Sequence, residues 1–259
     1  MGFKSIFLPL RLANTLQNRN PHLQDIKTPV NMKKIYNLII LDESGSMAAI
    51  KPAILSGFNE LVQSIVTENK QDDSLQHYIN FFTFNSMGIK EIIPLGEALA
   101  VHELTDTNYQ PNAMTPLFDA IGHATNKLRY ALEGEKDYTV LCSFLTDGAE
   151  NASEEYTRQT IANIINQLEQ KGWVFTFMGT NQDVVAEAAK ISITNTVQFN
   201  YTGEGVTTAL KDETRYRKRF YEDVKAGNTT KNSKDFYRKL VDGLDELFGE
   251  EPAKKNPKQ

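Results

Sequence analysis

The chain has 259 residues, 40% of them apolar, which is enough for one large domain with a real core. Lys and Arg number 28 against 33 Asp and Glu, and the resulting net charge of -5 gives no footing to a nucleic-acid footprint, which is basic and clustered. The single cysteine, Cys142, lies in an apolar run and cannot form an internal disulfide, so it reads as a core residue and implies no oxidising compartment.

The first 31 residues, beginning "MGFKSIFLPLRLANTLQNRNP", carry Lys4, Arg11 and Arg19 and no acid before Asp25. Two readings stand for them. One is a targeting segment, although Pro9 and Arg11 break the short apolar patch. The other, preferred here, is that the domain starts near Met32 and residues 1–31 are a poorly ordered extension or a mis-called start. No stretch of the chain approaches the roughly 20 apolar residues needed to cross a bilayer, so no membrane partner is expected.

From there the pattern alternates. Ile35–Leu41 is a nearly continuous apolar run suited to a strand covered on both faces. Ile54, Leu55, Phe58, Leu61, Val62 and Ile65 recur at helical spacing, with Pro52 in the first turn. "HYINFFTFN" (77–85) is strand-like, while "IKEIIPLG" and "ALAVHEL" are weaker strand candidates, Pro94 marking an edge or a break. A polar loop spans 105–115, and 116–132 reads as a helix with Thr115 as N-cap and Pro116 at its first position. "YTVLCSFLTDG" (138–148) is the most buried-looking strand. An amphipathic helix follows over 154–172, closed by Gly172. "WVFTFMGTN", "QDVVAEAAKI" and "NTVQFN" read as strand, short helix and last strand. Such alternation implies parallel βαβ units in a three-layer α/β sandwich. The expected organisation is an extension over 1–31, a domain over 32–205, a helical extension over 206–249 and a disordered tail over 250–259. The helical extension, with Phe220, Tyr221, Phe236, Leu240 and Leu244, reads first as a packed cap and second as a partner-binding face.

In parallel α/β sheets, ligands bind beyond the carboxyl ends of the strands. Three polar clusters fall there: Asp42-Glu43-Ser44-Gly45-Ser46, Thr115, and Thr146-Asp147-Gly148. They offer carboxylates and hydroxyls with no Cys or His, a set that suits Mg²⁺, with Mn²⁺ or Ca²⁺ possible, over Zn²⁺ or Cu²⁺. Two carboxylates balance the ion's charge, and neutral hydroxyls leave it electrophilic enough to take a further carboxylate. Taken singly, each cluster has a plain structural reading: a helix-capping turn, an N-cap, and an ordinary Asp-Gly turn.

Taken together, "DESGS", the threonine of "MTPLFDAIG" and "LTDG" resemble the metal-ion-dependent adhesion site of von Willebrand factor type A domains. That site is written D-x-S-x-S, then a distant T and a distant D. The resemblance extends in element order over roughly residues 35–200. It implies a Rossmann-like α/β sandwich whose mostly parallel six-stranded central sheet is flanked by helices and ends in one short antiparallel edge strand. It also implies that Ser44, Ser46 and Thr115 ligate the metal, Thr115 in the open, high-affinity state. Asp42 and Asp147 are implied to bind it directly or through water. The last coordination position would accept an acidic side chain from a protein partner, with no reaction turned over. The chain lacks the secretory and disulfide features of extracellular members and resembles the intracellular, bacterial-type ones, so a cytoplasmic location is expected. Neither the partner nor the oligomeric state is implied.

Other residues read more plainly: Glu43 as solvated, Asp119 as structural or supporting the site, Asp183 as a helix cap or site rim, and Trp173 as core. His22, His77, His102 and His123 show no ligand spacing. A competing enzymatic reading makes Asp42 a phosphoryl-accepting nucleophile of a metal-dependent phosphatase-like hydrolase, but the general-acid position two residues on is Ser44. The P-loop, serine-hydrolase and dinucleotide fingerprints are absent. A third reading keeps the fold and binds partners without metal.

Overall fold

The computed structural model describes residues 32–100, 102–180, 182–228, 236 and 237. Six strands form one sheet: β1 Lys33–Asp42, β2 Leu75–Asn85, β3 Gly88–Glu97, β4 Tyr138–Thr146, β5 Trp173–Gly179 and β6 Asn195–Gln198. Their order across the sheet is β3-β2-β1-β4-β5-β6, so β1 and β4 lie in the middle. Every pairing is parallel except β2 with β3, which is a hairpin at the edge. Pro94 lies in that edge strand, where its missing N–H interrupts no inner ladder. The expected fold class is the one observed.

Successive side chains of a strand point to opposite faces, and β1 uses both. Tyr36, Leu38 and Ile40 join a core with the helices α2 (Leu117–Ala131) and α3 (Arg158–Glu169). Ile39 and Leu41 join a second core with α1 (Lys51–Gln71) and α5 (Gly203–Lys225). A short helix, α4 (Gln182–Lys190), precedes β6. At Gly57, α1 and α5 come so close that a Cβ would meet the Leu210 side chain at 2.7 Å. Cys142 and Trp173 are core residues, as read. Among the described residues no helix is long and apolar enough to cross a membrane.

Some local expectations fail for reasons that lie elsewhere in the chain. Residues 154–157 are not helical, because the amides of Glu154, Glu155 and Tyr156 donate to the Asp119 carboxylate at 2.8–3.0 Å. The helix starts only after Thr157, whose side chain accepts from Thr160 N. The segment around 98–104 forms no strand among its described residues. Instead Asn59 of α1 pairs both ways with the Leu104 backbone, at 2.9 and 2.8 Å. The boundary expected at residue 205 falls inside α5, which packs on α1 and the sheet through Val206, Ala209, Leu210, Phe220, Tyr221 and Val224. Residues 1–31, the helical extension beyond residue 228 apart from Phe236 and Tyr237, and the tail over 250–259 lie outside the described residues.

Candidate metal centre

β1 reaches the sheet edge at Asp42, which is buried. Its Oδ1 accepts from Ser44 N at 2.7 Å and its Oδ2 from Thr146 Oγ1 at 2.5 Å. The chain then turns through a short 3₁₀ segment, Gly45–Ile50, in which Ser44 is the N-cap residue but makes no side-chain cap bond. The Ser44 and Ser46 hydroxyls therefore look inward to the site: their Oγ atoms are 3.2 Å apart, and Ser46 Oγ donates to Asp147 Oδ1 at 2.7 Å. Asp147 follows β4, the neighbour of β1. Four of the five sequence-nominated residues are thus joined by direct hydrogen bonds.

Thr115 arrives from the loop before α2. It was expected to cap that helix, and it does not: the cap residue is Pro116, without a side-chain bond. The first amides of α2 are satisfied from the loop after β4, Phe118 N donating to Glu150 Oε2 at 2.9 Å and Asp119 N to Ser153 Oγ at 3.1 Å. Capping supplied from a distance leaves the Thr115 hydroxyl without that duty. Asn151 clamps the Thr115 backbone on both sides, with N–O distances of 2.8 and 3.1 Å. The hydroxyl faces the Asp147–Gly148 turn so closely that a Cβ at Gly148 would lie 3.4 Å from Thr115 Oγ1.

The approach of the 112–115 loop is held by strain. Ala113 has φ +64°, the left-handed region that a non-glycine residue rarely adopts. In that conformation its carbonyl accepts from Gly45 N at 3.1 Å.

Several supporting residues escape a motif search. Tyr109 donates to the Asp42 carbonyl at 2.7 Å, and Thr180 to the Asp147 carbonyl at 2.7 Å. Tyr201, beyond β6, hydrogen-bonds the Ser46 carbonyl and also acts on the Asp147 carboxylate. All three stand at strand ends or in strand-end loops, the only signal by which they could have been found. Glu43 corrects the sequence reading: it is buried, because its amide still pairs with Phe84 of β2 and turns the side chain under the 105–115 loop. There its Oε1 accepts from Gln110 N at 2.6 Å and from Lys90 Nζ at 2.9 Å. Asp119 is structural, as its three amide bonds show. The Asp183 side chain lies outside what the structure describes.

The electrostatics are unbalanced. Burial pushes the Asp42 carboxyl up to about 6, against the hydrogen bonds from Thr146 and Ser44, and the charge of Asp147 adds to the rise. Burial raises Asp147 as well, against its bonds from Ser46 and Tyr201. Among the described residues no Lys or Arg forms an ion pair with either carboxylate. Also among them, no three Cys, His, Asp or Glu side chains gather into a metal-holding group, so hydroxyl oxygens would have to complete any coordination here. They fit that task. Neighbouring ligands of an octahedral Mg²⁺ with bonds of about 2.1 Å stand about 3 Å apart. The Ser44–Ser46 and Ser46–Asp147 oxygen separations of 3.2 and 2.7 Å bracket that spacing.

A search of curated proteins returns no match. Among solved structures, the fold resembles the vWF domain of the type V pili tip protein Mfa5 from Porphyromonas gingivalis at 8% identity and a TM-score of 0.52, covering 73% of this chain and 96% of that one. It also resembles the pilus adhesin SpaC of Lactobacillus rhamnosus GG in an open conformation, at 12% identity and a TM-score of 0.51, covering 76% of this chain and 30% of that one. The mussel byssus protein PTMP1 matches at 15% identity with a TM-score of 0.49, and this chain spans 46% of its length. These identities speak to the fold alone. The family model for the von Willebrand factor type A domain matches residues 38–214, most of the chain, and the protein belongs to that family.

Proposed function

We propose that this domain binds one divalent cation, Mg²⁺ foremost, through Asp42, Ser44, Ser46, Thr115 and Asp147, and uses it to bridge to an acidic side chain of a partner protein. The observation that carries the reading is the contact of two buried carboxylates with two serine hydroxyls, at metal-ligand spacing, where among the described residues no Lys or Arg pairs with either carboxylate. When bound, the ion supplies positive charge and a coordination position for an outside carboxylate. The chain's residues do the rest. Thr146 and the Ser44 amide hold Asp42 in one orientation, Asn151 holds Thr115, and Tyr109 and Thr180 fix the backbone at both carboxylates. The lone core cysteine and the lack of a membrane-crossing helix among the described residues suit a cytoplasmic setting, which is part of the same proposal.

The test pairs Asp42→Ala with Ser44→Ala. Wild-type protein should melt at higher temperature in millimolar Mg²⁺ than in EDTA, and the double variant should fold but lose that difference. No Mg²⁺-dependent shift in wild type would sink the reading. A hydrolase reading is disfavoured because the position two residues after Asp42, where a general acid would stand, is Ser44. Turnover of a generic phosphate ester, lost on Asp42→Ala, would restore it.

A further inference from the structure

The described residues include six large apolar side chains that stand exposed, and three of them, Met87, Met114 and Tyr201, belong to the loops that surround the candidate centre. Their exposures are 76%, 55% and 44%. Met114 immediately precedes Thr115. Met87 sits in the β2–β3 turn, which is locked to the same loop: Ser86 N donates to the Met114 carbonyl at 3.0 Å, and Met114 N donates to Ser86 Oγ at 3.1 Å. Asn112 Nδ2 approaches Met87 Sδ at 3.8 Å, and Asn112 N donates to the Glu43 carbonyl at 2.9 Å. The two methionines are therefore fixed to the backbone that carries the site. Tyr201 lies on the opposite flank. It follows β6, at the far end of the strand order from β3, and its hydroxyl bonds the Ser46 carbonyl.

Singly exposed apolar residues are ordinary, but two thioethers and an aromatic ring grouped on the loops around one site mark an interaction surface. Met is favoured at adaptable binding surfaces, and Met and Tyr are enriched at protein interfaces. Resting on the metal-bridging function proposed above, we infer that the partner segment carries an Asp or Glu flanked on both sides by apolar side chains. One flank packs on Met87 and Met114, the other on the Tyr201 ring, and the acidic residue between them reaches the cation. Met87 and Met114 are thus specificity-determining residues. They touch neither the ion nor the residues that would hold it, apart from the chain bond between Met114 and Thr115.

The experiment is selection of a displayed random-peptide library on the full chain in Mg²⁺, with elution by EDTA. Wild type should return peptides rich in Asp or Glu with apolar residues on both sides. The variant Met87→Ser/Met114→Ser, whose melting temperature should be unchanged because both side chains are exposed, should return acidic peptides with one apolar flank lost. A synthetic peptide from the wild-type pool should bind it roughly tenfold more weakly. Met87→Leu/Met114→Leu should bind that peptide like wild type. Acidic peptides with no flanking preference, or a preference unchanged by the serine variant, overturn the inference and leave the metal reading standing. An EDTA-eluted pool without acidic enrichment overturns both.

Discussion

On one face of the central strands, Arg217 and Glu213 of α5 are buried together under the sheet. At the carboxyl ends of the same strands, Asp42 and Asp147 are also buried together. The first cluster completes itself. Arg217 donates to Glu213 Oε1 at 3.1 Å, to Asn37 Oδ1 of β1 at 2.8 Å and to Ser143 Oγ of β4 at 2.6 Å. Tyr237 donates to Glu213 Oε2 at 2.7 Å, and Tyr221 to Asn37 Oδ1 at 2.7 Å. Guanidinium and carboxylate cancel, and the neighbouring hydroxyls and amide satisfy the remaining donors and acceptors. The second cluster has the hydrogen bonds but, among the described residues, no ion pair, and its carboxyls are driven up. Buried ionic groups that serve only architecture are paired. The two clusters differ in that the first carries its counter-charge and the second, among the described residues, has none paired with it.

The largest way to break the comparison is at Arg217. Arg217→Met leaves Glu213 buried without its cation, and the expected loss is about 3–5 kcal/mol in denaturant unfolding, equal in Mg²⁺ and in EDTA. A loss that Mg²⁺ repairs would mean that the two clusters are not independent.

The next effect is on pH. His77 of β2 is buried against Tyr221, ring centroids 4.4 Å apart, and neither nitrogen has a hydrogen-bond partner. Burial lowers it from 6.5 to about 4. Between those values the unfolded chain binds the extra proton, so the stability this group supports is complete above 6.5 and is lost as pH falls toward 4, by about 3 kcal/mol. Asp42 has the opposite sign. Its folded carboxyl titrates at about 6 against 3.8, so in EDTA stability rises as pH falls through that window. The two slopes oppose each other in wild type. His77→Phe should turn the profile toward the Asp42 slope, and Asp42→Asn should turn it toward the His77 slope. Denaturant midpoints measured across this range in EDTA would show it, and parallel profiles in all three proteins would contradict it.

Asp42→Asn removes a buried charge that no described Lys or Arg pairs with. In EDTA at neutral pH it should stabilise the fold by roughly 3 kcal/mol, following the rise in the Asp42 pKa, and it should abolish the response to Mg²⁺. A variant less stable than wild type in EDTA would mean that the hydrogen bonds to Asp42 outweigh its desolvation.

The smallest effect is at Ala113. Ala113→Gly relieves a left-handed backbone worth about 1 kcal/mol. It should leave stability unchanged or slightly higher while loosening the loop that carries Thr115, so that Mg²⁺ binds more weakly. Unchanged Mg²⁺ affinity would show that the strained turn does not position the site.

Most of this comparison lies on opposite sides of what a sequence reveals. The strands around β1 were legible because their apolar runs are local. That Asp42, Ser44, Ser46, Thr115 and Asp147 come together at one sheet edge was legible because their polar residue types fall in strand-end loops. Arg217 and Glu213 carry no local signal, because nothing within α5 announces Asn37 and Ser143 waiting on the sheet. Glu43 looked solvated for the same reason, since its partners Lys90 and Gln110 come from distant segments. Thr115 looked like a helix cap because Glu150 and Ser153, which serve the α2 amides instead, lie more than thirty positions further along. In each case the misread side chain is one whose partner is supplied by tertiary contact.

The most direct measurement is binding of Mn²⁺, followed by electron paramagnetic resonance, to the wild-type chain and to Asp42→Asn. The expected result is one Mn²⁺ per wild-type chain, displaced by millimolar Mg²⁺, and none on the variant. Equal Mn²⁺ binding by both proteins, or no binding by wild type, would contradict a cation held between Asp42, Asp147 and the hydroxyls around them.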